Sequence, residues 1–327
     1  MQYLIEYLLF AAKLATVVAL VALPLLLALT MRASRARGAQ RAVTLEVEKL
    51  NDALDDARAT IEGAMLPPRA MRLRRKAERA ARKAAAKQSG ERPRSFVCHF
   101  DGDLRASAVV ELREAITAVL AVARPQDELI VVLESGGGTV HGYGLAASQL
   151  ARVREQGVRL RVVVDRIAAS GGYMMACVGD EVIAAPFAII GSIGVVAQLP
   201  NFHRLLQKHD IDYEQVTAGE FKRTLTLFGE NTDAGRAKFR EEIEEAHALF
   251  KDFIARYRPA LDLTRAATGE WWFGSRALEL GLVDTIATSD DIIGAAARER
   301  EVYAVRARRK RPLAERLLGG AGAWRAG

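Results

Sequence analysis

A serine set among small residues is the first place where this sequence offers chemistry. Ala168-Ala169-Ser170-Gly171-Gly172-Tyr173 follows an apolar run that ends at Val164 or Asp165. One hydroxyl flanked by Ala and Gly leaves room for a substrate backbone, and the helix start expected here favours negative charge. The competing reading is an N-cap, the common use of Ser at a helix start. A cap, however, needs neither the Ala pair before it nor the Gly pair after it. As a nucleophile, Ser170 would let the Gly171 N–H share an oxyanion with an amide from a second loop, Glu134-Ser135-Gly136-Gly137-Gly138, where backbone lies nearly bare. That loop runs into Thr139-Val140-His141 rather than a GK[ST] ending, which argues against a phosphate-binding loop. A third segment, Gly191-Ser192-Ile193-Gly194, reads equally well as a tight turn packed beneath such a site.

A serine hydroxyl needs a base to take its proton. Histidine is the usual one, but none of the five (His99, His141, His203, His209, His247) lies in a comparable small-residue loop, and only His141 is near a glycine turn. A Ser-His-Asp triad through His141 stays open. A lysine serves as base when burial lowers its pKa. Lys222, in Thr217-Ala218-Gly219-Glu220-Phe221-Lys222-Arg223-Thr224, sits among apolar and small residues, although residue type alone favours an ordinary surface lysine. The histidines show neither HxxxH spacing nor a cysteine partner motif, so the sequence offers no metal site and calls for no cofactor. Cys98 and Cys177 lie in apolar stretches and read as buried thiols, not a disulfide.

These residues need a scaffold. SFVCHF (95–100), ELIVVLE (128–134) and VRLRVVV (158–164) are short β-branched runs, separated by helical periodicity over 107–122 and 143–153. The alternation predicts an α/β domain of repeated parallel β-α-β units with both faces of the sheet covered. Ligands in such sheets bind beyond the carboxyl ends of the strands, where all three glycine segments fall.

Upstream, Tyr7–Met31 is a run of 25 residues with one charge, Lys13, which is long enough to span a bilayer. It is read as a retained anchor because no AxA-like site follows. Arg32, Arg35 and Arg37 come directly after it and by the positive-inside rule place the rest of the chain in the cytoplasm. Residues 40–66, with Val43, Val47, Leu50, Leu54 and Ile61 at helical spacing, predict an amphipathic helix ended by Pro67 and Pro68. The formal charge of +7 is local: residues 69–94 hold eleven Lys or Arg against two Glu, leaving −2 for the remainder. That run lacks aromatic residues to stack bases, so nucleic acid is not an expected partner; a solvated spacer or contact with anionic lipid fits better. The expected domains are a transmembrane anchor (1–31), a helical Arg/Lys/Ala-rich linker (32–94), the catalytic domain (95–306) and a basic tail (307–327).

VHGYGLAASQL (140–150), AASGGYMMAC (168–177), GSIGVVAQLPNF (191–202), FKRTLTLFGENT (221–232) and ATGEWWFGSRALELGLVD (267–284) together resemble the signal peptide peptidase A family of Ser-Lys serine proteases, in its SohB-type, inner-membrane branch. The resemblance covers most of the chain. It implies a Clp-protease or crotonase-like fold, with Ser170 as nucleophile, Lys222 as base, Ser192 holding the lysine amine, and Gly137 and Gly171 as oxyanion donors. It further implies a periplasmic domain, against the flanking arginines, peptide or unfolded-protein substrates such as remnant signal peptides, membrane lipid around the N-terminal helix, and a homo-oligomer. In such an assembly Trp271-Trp272-Phe273 serves an interface or, more simply, the core. The family usually has Ser-Pro-Gly-Gly where this chain has Ser135-Gly136-Gly137-Gly138, so the loop loses a proline's rigidity. A catalytically silent scaffold and a crotonase-type thioester enzyme are the rival functions on the same fold.

Overall fold

Alternate residues of the central strands enter two different cores, and this builds a sheet covered on both sides. A computed structural model describes residues 43–67, 69–74, 76, 77, 80 and 92–309. The chain divides into a compact unit, Leu45–Ala307, and a second unit of the two termini, almost wholly outside the described residues. The expected anchor Tyr7–Met31, residues 81–91 of the basic run and nearly all of the tail lie outside the described residues; among the described residues no helix is long and apolar enough to cross a membrane.

Strands β1 (Val43–Lys49), β2 (Arg94–Gly102), β3 (Glu128–Ser135), β4 (Arg159–Val164), β6 (Glu181–Ala184), β9 (Thr285–Ile286) and β10 (Glu301–Arg309) run in the order β1-β10-β2-β3-β4-β6-β9. The pairings from β10 to β9 are all parallel. Val97, Ile130, Val163 and Ile183 pack with Ile292 and Ala296 of α9 (Ser289–Glu299). Their neighbours Phe96, Cys98, Leu129, Val131, Leu160 and Val162 point the other way, as a period of two requires. These join the larger core beneath α2 (Val109–Leu120) and α3 (Val140–Glu155). The mixed α/β architecture and the strands expected at 95–100, 128–134 and 158–164 are therefore present, as are the helices expected at 107–122 and 143–153. Both thiols are free and buried, and burial pushes the Cys98 thiol up to about 12 and that of Cys177 further.

The helix expected over 40–66 is corrected in its first part. Val43–Lys49 is a strand, and only Leu50–Met65 is helical (α1). Val43, Leu45 and Val47 also alternate with Thr44, Glu46 and Glu48, so two periods compete over so short a run, and a neighbouring strand decided between them. The helix ends before Pro67 as expected. Asn51, in its first turn, accepts the Val302 amide (2.7 Å) and donates to the Ala297 and Arg300 carbonyls (3.0 Å each), tying α1 to the end of α9. The compact unit thus begins well before residue 95.

A smaller group of strands leaves the main sheet at the carboxyl end of β3. Ser135 pairs with Ala168 of β5 (Ile167–Ala169), β5 pairs in parallel with β7 (Ile189–Gly191), and β7 pairs antiparallel with β8 (Trp271–Phe273). In β8, Trp272 packs on the core, while Trp271 and Phe273 are half exposed beside Phe187. The aromatic run thus serves the core through one residue of three.

Candidate active site

The nucleophile turn grows out of β5. Backbone bonds from Ser170 N–H to the Gly191 carbonyl (2.7 Å) and from Met174 N–H to the Ser170 carbonyl (3.0 Å) fix both sides of Ser170's peptide. Between them Ser170 adopts φ 52°, ψ −119°. That conformation is sparsely populated for a residue with a side chain and costs about 1–3 kcal/mol. Ser170 precedes the short helix α4 (Gly171–Ala176), yet its side chain makes no capping bond. The structure therefore holds a serine in a strained turn without using its hydroxyl for capping.

The glycine loop after β3 meets this turn. Gly137 has φ 88°, and a Cβ there would fall 2.7 Å from the Ser170 Cβ and 2.8 Å from the Gly171 nitrogen. A Cβ on Gly171 would fall 2.4 Å from Cγ of Tyr143, so neither position tolerates a side chain. As the first residue of α4, Gly171 has no intrahelical carbonyl for its amide. The Gly137 amide, by contrast, donates to Ser135 Oγ at 3.1 Å. The neighbouring Gly138 borders the cavity next to Ser170, and its own Cβ would lie 2.1 Å from the Leu104 carbonyl.

That cavity, about 100 Å³, is bounded by Ser170, Gly171 and Gly138 with Val140, Met174, Val196 and Phe250 among its apolar walls, and none of its lining residues is charged. A larger cavity of about 560 Å³ between α1 and α9 carries charges of both signs and shares no lining residue with it. We place the chemistry at the smaller one because the strained serine is there. Ser192, with φ 51°, directly follows Gly191, and Gly191 is in register with Ala169. The third glycine segment therefore lies against the nucleophile turn.

Lys222 is not in this group. It is exposed, in an irregular stretch between α5 (His203–Lys208) and α6 (Asp233–Tyr257). Its neighbours contact the start of α6: the Lys238 ammonium lies 5.6 Å from the Phe221 ring centre, and Gly235 packs on the Thr224 carbonyl. Ala246 and Phe250, further along the same helix, line the serine cavity. From Lys238 to Ala246 the helix advances about 12 Å at 1.5 Å per residue. Lys222 does not line the cavity that Ser170 borders. His141 is exposed and does not line the cavity either.

Sequence reasoning missed Val140, Val196 and Phe250 as cavity walls, and Ser135 and Tyr143 as supports of the glycine loop. The walls come from segments far apart in sequence, so no local spacing could have found them. Among the described residues no group of His, Cys, Asp and Glu could hold a metal ion.

A mixed α/β fold with a large parallel sheet, and a strained serine beside bare glycines at its strand ends, fits a Clp-protease-like fold. Residues 2–150 match the Peptidase family S49 N-terminal domain and 152–303 match Peptidase family S49, so the chain belongs to peptidase family S49. It is of the SohB type. "Probable protease SohB" of Haemophilus influenzae is 55% identical over 68% of this chain and 63% of its own length. The protein of the same description from Buchnera aphidicola (subsp. Acyrthosiphon pisum) is 60% identical over 61% of this chain and 59% of its own. The chain thus spans about three fifths of the length of these relatives.

Proposed function

We propose that the protein is a membrane-anchored serine endopeptidase that cleaves remnant signal peptides or unfolded envelope proteins with a Ser170-Lys222 dyad. The observation that carries this reading is the conformation of Ser170: strained, uncapped, beside the Gly171 amide and at the mouth of an apolar cavity. Membership of peptidase family S49 supports the reaction class.

Ser170 Oγ attacks the peptide carbonyl carbon while its proton passes to the Lys222 amine. The tetrahedral oxyanion accepts the Gly171 N–H and an amide of the glycine loop. For the second donor the geometry favours Gly138 over Gly137, whose N–H is already taken by Ser135. Collapse breaks the C–N bond, the departing amine takes the proton from Lys222, and water then releases the acyl group by the same route. Ser192 holds the lysine amine. The cavity walls favour a small or apolar residue before the cleaved bond.

On this reading assembly completes the dyad, because Lys222 is exposed and does not line the serine cavity. Ile211, Val216, Phe221 and Phe228 are exposed in the same stretch of chain, Val216 by 96%. Apolar surface of this extent is what another copy covers. A homo-oligomer buries the stretch and removes water from the amine, the condition under which a lysine serves as base. The anchor places the assembly in the bacterial inner membrane as a single-pass protein with the domain in the periplasm, against the prediction of Arg32, Arg35 and Arg37. A carboxyl-terminal reporter active only in the cytoplasm would reverse that orientation.

The decisive experiment is hydrolysis of an unfolded protein and signal-peptide-like peptides by the full chain in detergent. Ser170→Ala and Lys222→Ala each lower the rate on the order of a thousandfold or more while circular dichroism stays unchanged. An inert wild type that still captures a membrane partner would make it a scaffold instead, and an active Lys222→Ala would remove the lysine from the mechanism.

A further inference from the structure

The glycine loop has no proline to stiffen it: Gly136, Gly137 and Gly138 follow one another, and each is free to rotate. What holds it is a chain of hydrogen bonds buried beneath it. The Gly137 N–H donates to Ser135 Oγ (3.1 Å), the Ser135 hydroxyl is in close contact with the Tyr143 hydroxyl, and the Tyr143 hydroxyl lies 2.8 Å from the Asp103 carbonyl. Either hydroxyl can donate to the other: Ser135 to Tyr143 while Tyr143 donates to the Asp103 carbonyl, or Tyr143 to Ser135 while Ser135 donates to the Gly102 carbonyl (3.3 Å), and in both arrangements Ser135 Oγ accepts the Gly137 N–H. Burial pushes the Tyr143 phenol above its ordinary value, outweighing the lowering effect of the Ser135 bond, so the hydroxyl keeps its proton. Tyr143 is fully buried, and its ring carries the other half of the site: Gly171 lies so close to Cβ and Cγ of Tyr143 that only hydrogen fits between them.

We infer that Tyr143, acting through Ser135, is the positioning residue of the oxyanion hole, setting the glycine loop with its hydroxyl and the Gly171 amide with its ring. This rests on the proposed serine peptidase reading. Fixing the Gly137 amide inward leaves the Gly138 peptide at the cavity, and the ring stops Gly171 from retreating from Ser170. Tyr143 therefore stands in for the rigidity that residue 136 does not supply.

The test is steady-state hydrolysis together with the rate at which a fluorophosphonate labels Ser170, in the full chain. Its adduct places an oxygen where the oxyanion sits. Tyr143→Phe keeps the ring and removes the hydroxyl; Ser135→Ala cuts the same chain from its other end. Each lowers kcat and the labelling rate about tenfold or more with KM unchanged, and the double variant is no worse than the slower single variant, because both break one device. Labelling and kcat equal to wild type in either single variant overturn the inference, as do additive losses. Raised KM at unchanged kcat also overturns it, pointing to the cavity wall alone. A variant that fails to fold is replaced by the other, which addresses the same bond. Wild type unlabelled at Ser170 is a different result, for it defeats the peptidase reading itself.

Discussion

The strand ends that hold Ser170 and the stretch that carries Lys222 are built in opposite ways. Around Ser170, Val162, Val163, Val164, Ala168 and Ile190 are wholly buried, and paired strands fix the backbone. The strain in Ser170 survives because its surroundings over-determine it. Around Lys222, every residue from Ile211 to Arg223 is exposed, with few bonds beyond its own turns. On the proposed reading, folding supplies one half of the dyad and association would supply the other.

The comparison is broken or upheld most sharply by mixing two inactive proteins. Ser170→Ala keeps Lys222, and Lys222→Ala keeps Ser170. If the lysine serves a neighbouring copy, co-assembly from detergent restores on the order of a quarter of wild-type activity, since a mixed interface has a one in four chance of holding both intact residues. The base rate is the background of either variant alone, which is on the order of a thousandfold lower. Peptide hydrolysis by the mixture checks this directly. No recovery, with mixed oligomers demonstrated by two tags, would place Lys222 in its own subunit after the stretch refolds against α6.

The same division explains what was legible in the sequence. The strands could be read because β-branched runs such as Ile130-Val131-Val132 have one stable environment, a sheet covered on both faces. Ser170, Gly171 and the glycine loop could be read because only small residues fit where two backbones meet. The strand at Val43–Lys49 could not, since its alternation shares apolar positions with a helical pattern and β10 decides the outcome from far along the chain. Lys222 was singled out because its neighbours are apolar, a correct reading of composition. Yet those neighbours are not buried within the chain, because apolar residues can serve a partner as well as a core. The Ser135-Tyr143 chain escaped notice because hydroxyls eight residues apart meet only once β3 and α3 have packed.

A smaller effect separates the two regions by acid. Asp127 is buried and accepts the Arg94 amide (2.7 Å), the Arg124 amide (2.9 Å) and the Arg94 guanidinium (2.6 Å) at the start of β3. Burial raises its carboxyl, but these donors and the Arg94 charge outweigh it and hold the group below its ordinary value. The stability this contributes is present above the unfolded value, about 3.9, and is lost as pH falls through the lower folded one. Asp127→Asn therefore costs about 2 kcal/mol at neutral pH, less than a fully buried pair because Arg94 is partly exposed. The deficit relative to wild type shrinks below pH 4. Urea unfolding at pH 7 and pH 3 measures both. Since Lys222 lies outside this framework, exposure of the 211–223 stretch to protease should be the same in the variant at pH 7; a changed cleavage rate there would mean that the two regions are coupled.

The smallest expected change is in the glycine loop, where stiffness can be added without touching the chemistry. Gly136 has no positive φ, and a Cβ there meets only Ile167 Cδ1 at 3.8 Å, so the site has space for a larger residue. Gly136→Pro removes backbone freedom from the unfolded chain and should stabilise the fold by about 0.4–1 kcal/mol. Peptidase activity is unchanged or raised, because the loop is then held by the proline as well as by Ser135 and Tyr143. The informative form combines it with Tyr143→Phe: if the proline supplies what the tyrosine hydroxyl supplied, part of the lost kcat returns. Recovery of stability without recovery of kcat would mean that the hydroxyl sets the direction of the Gly138 peptide, which a fixed φ two residues earlier cannot do.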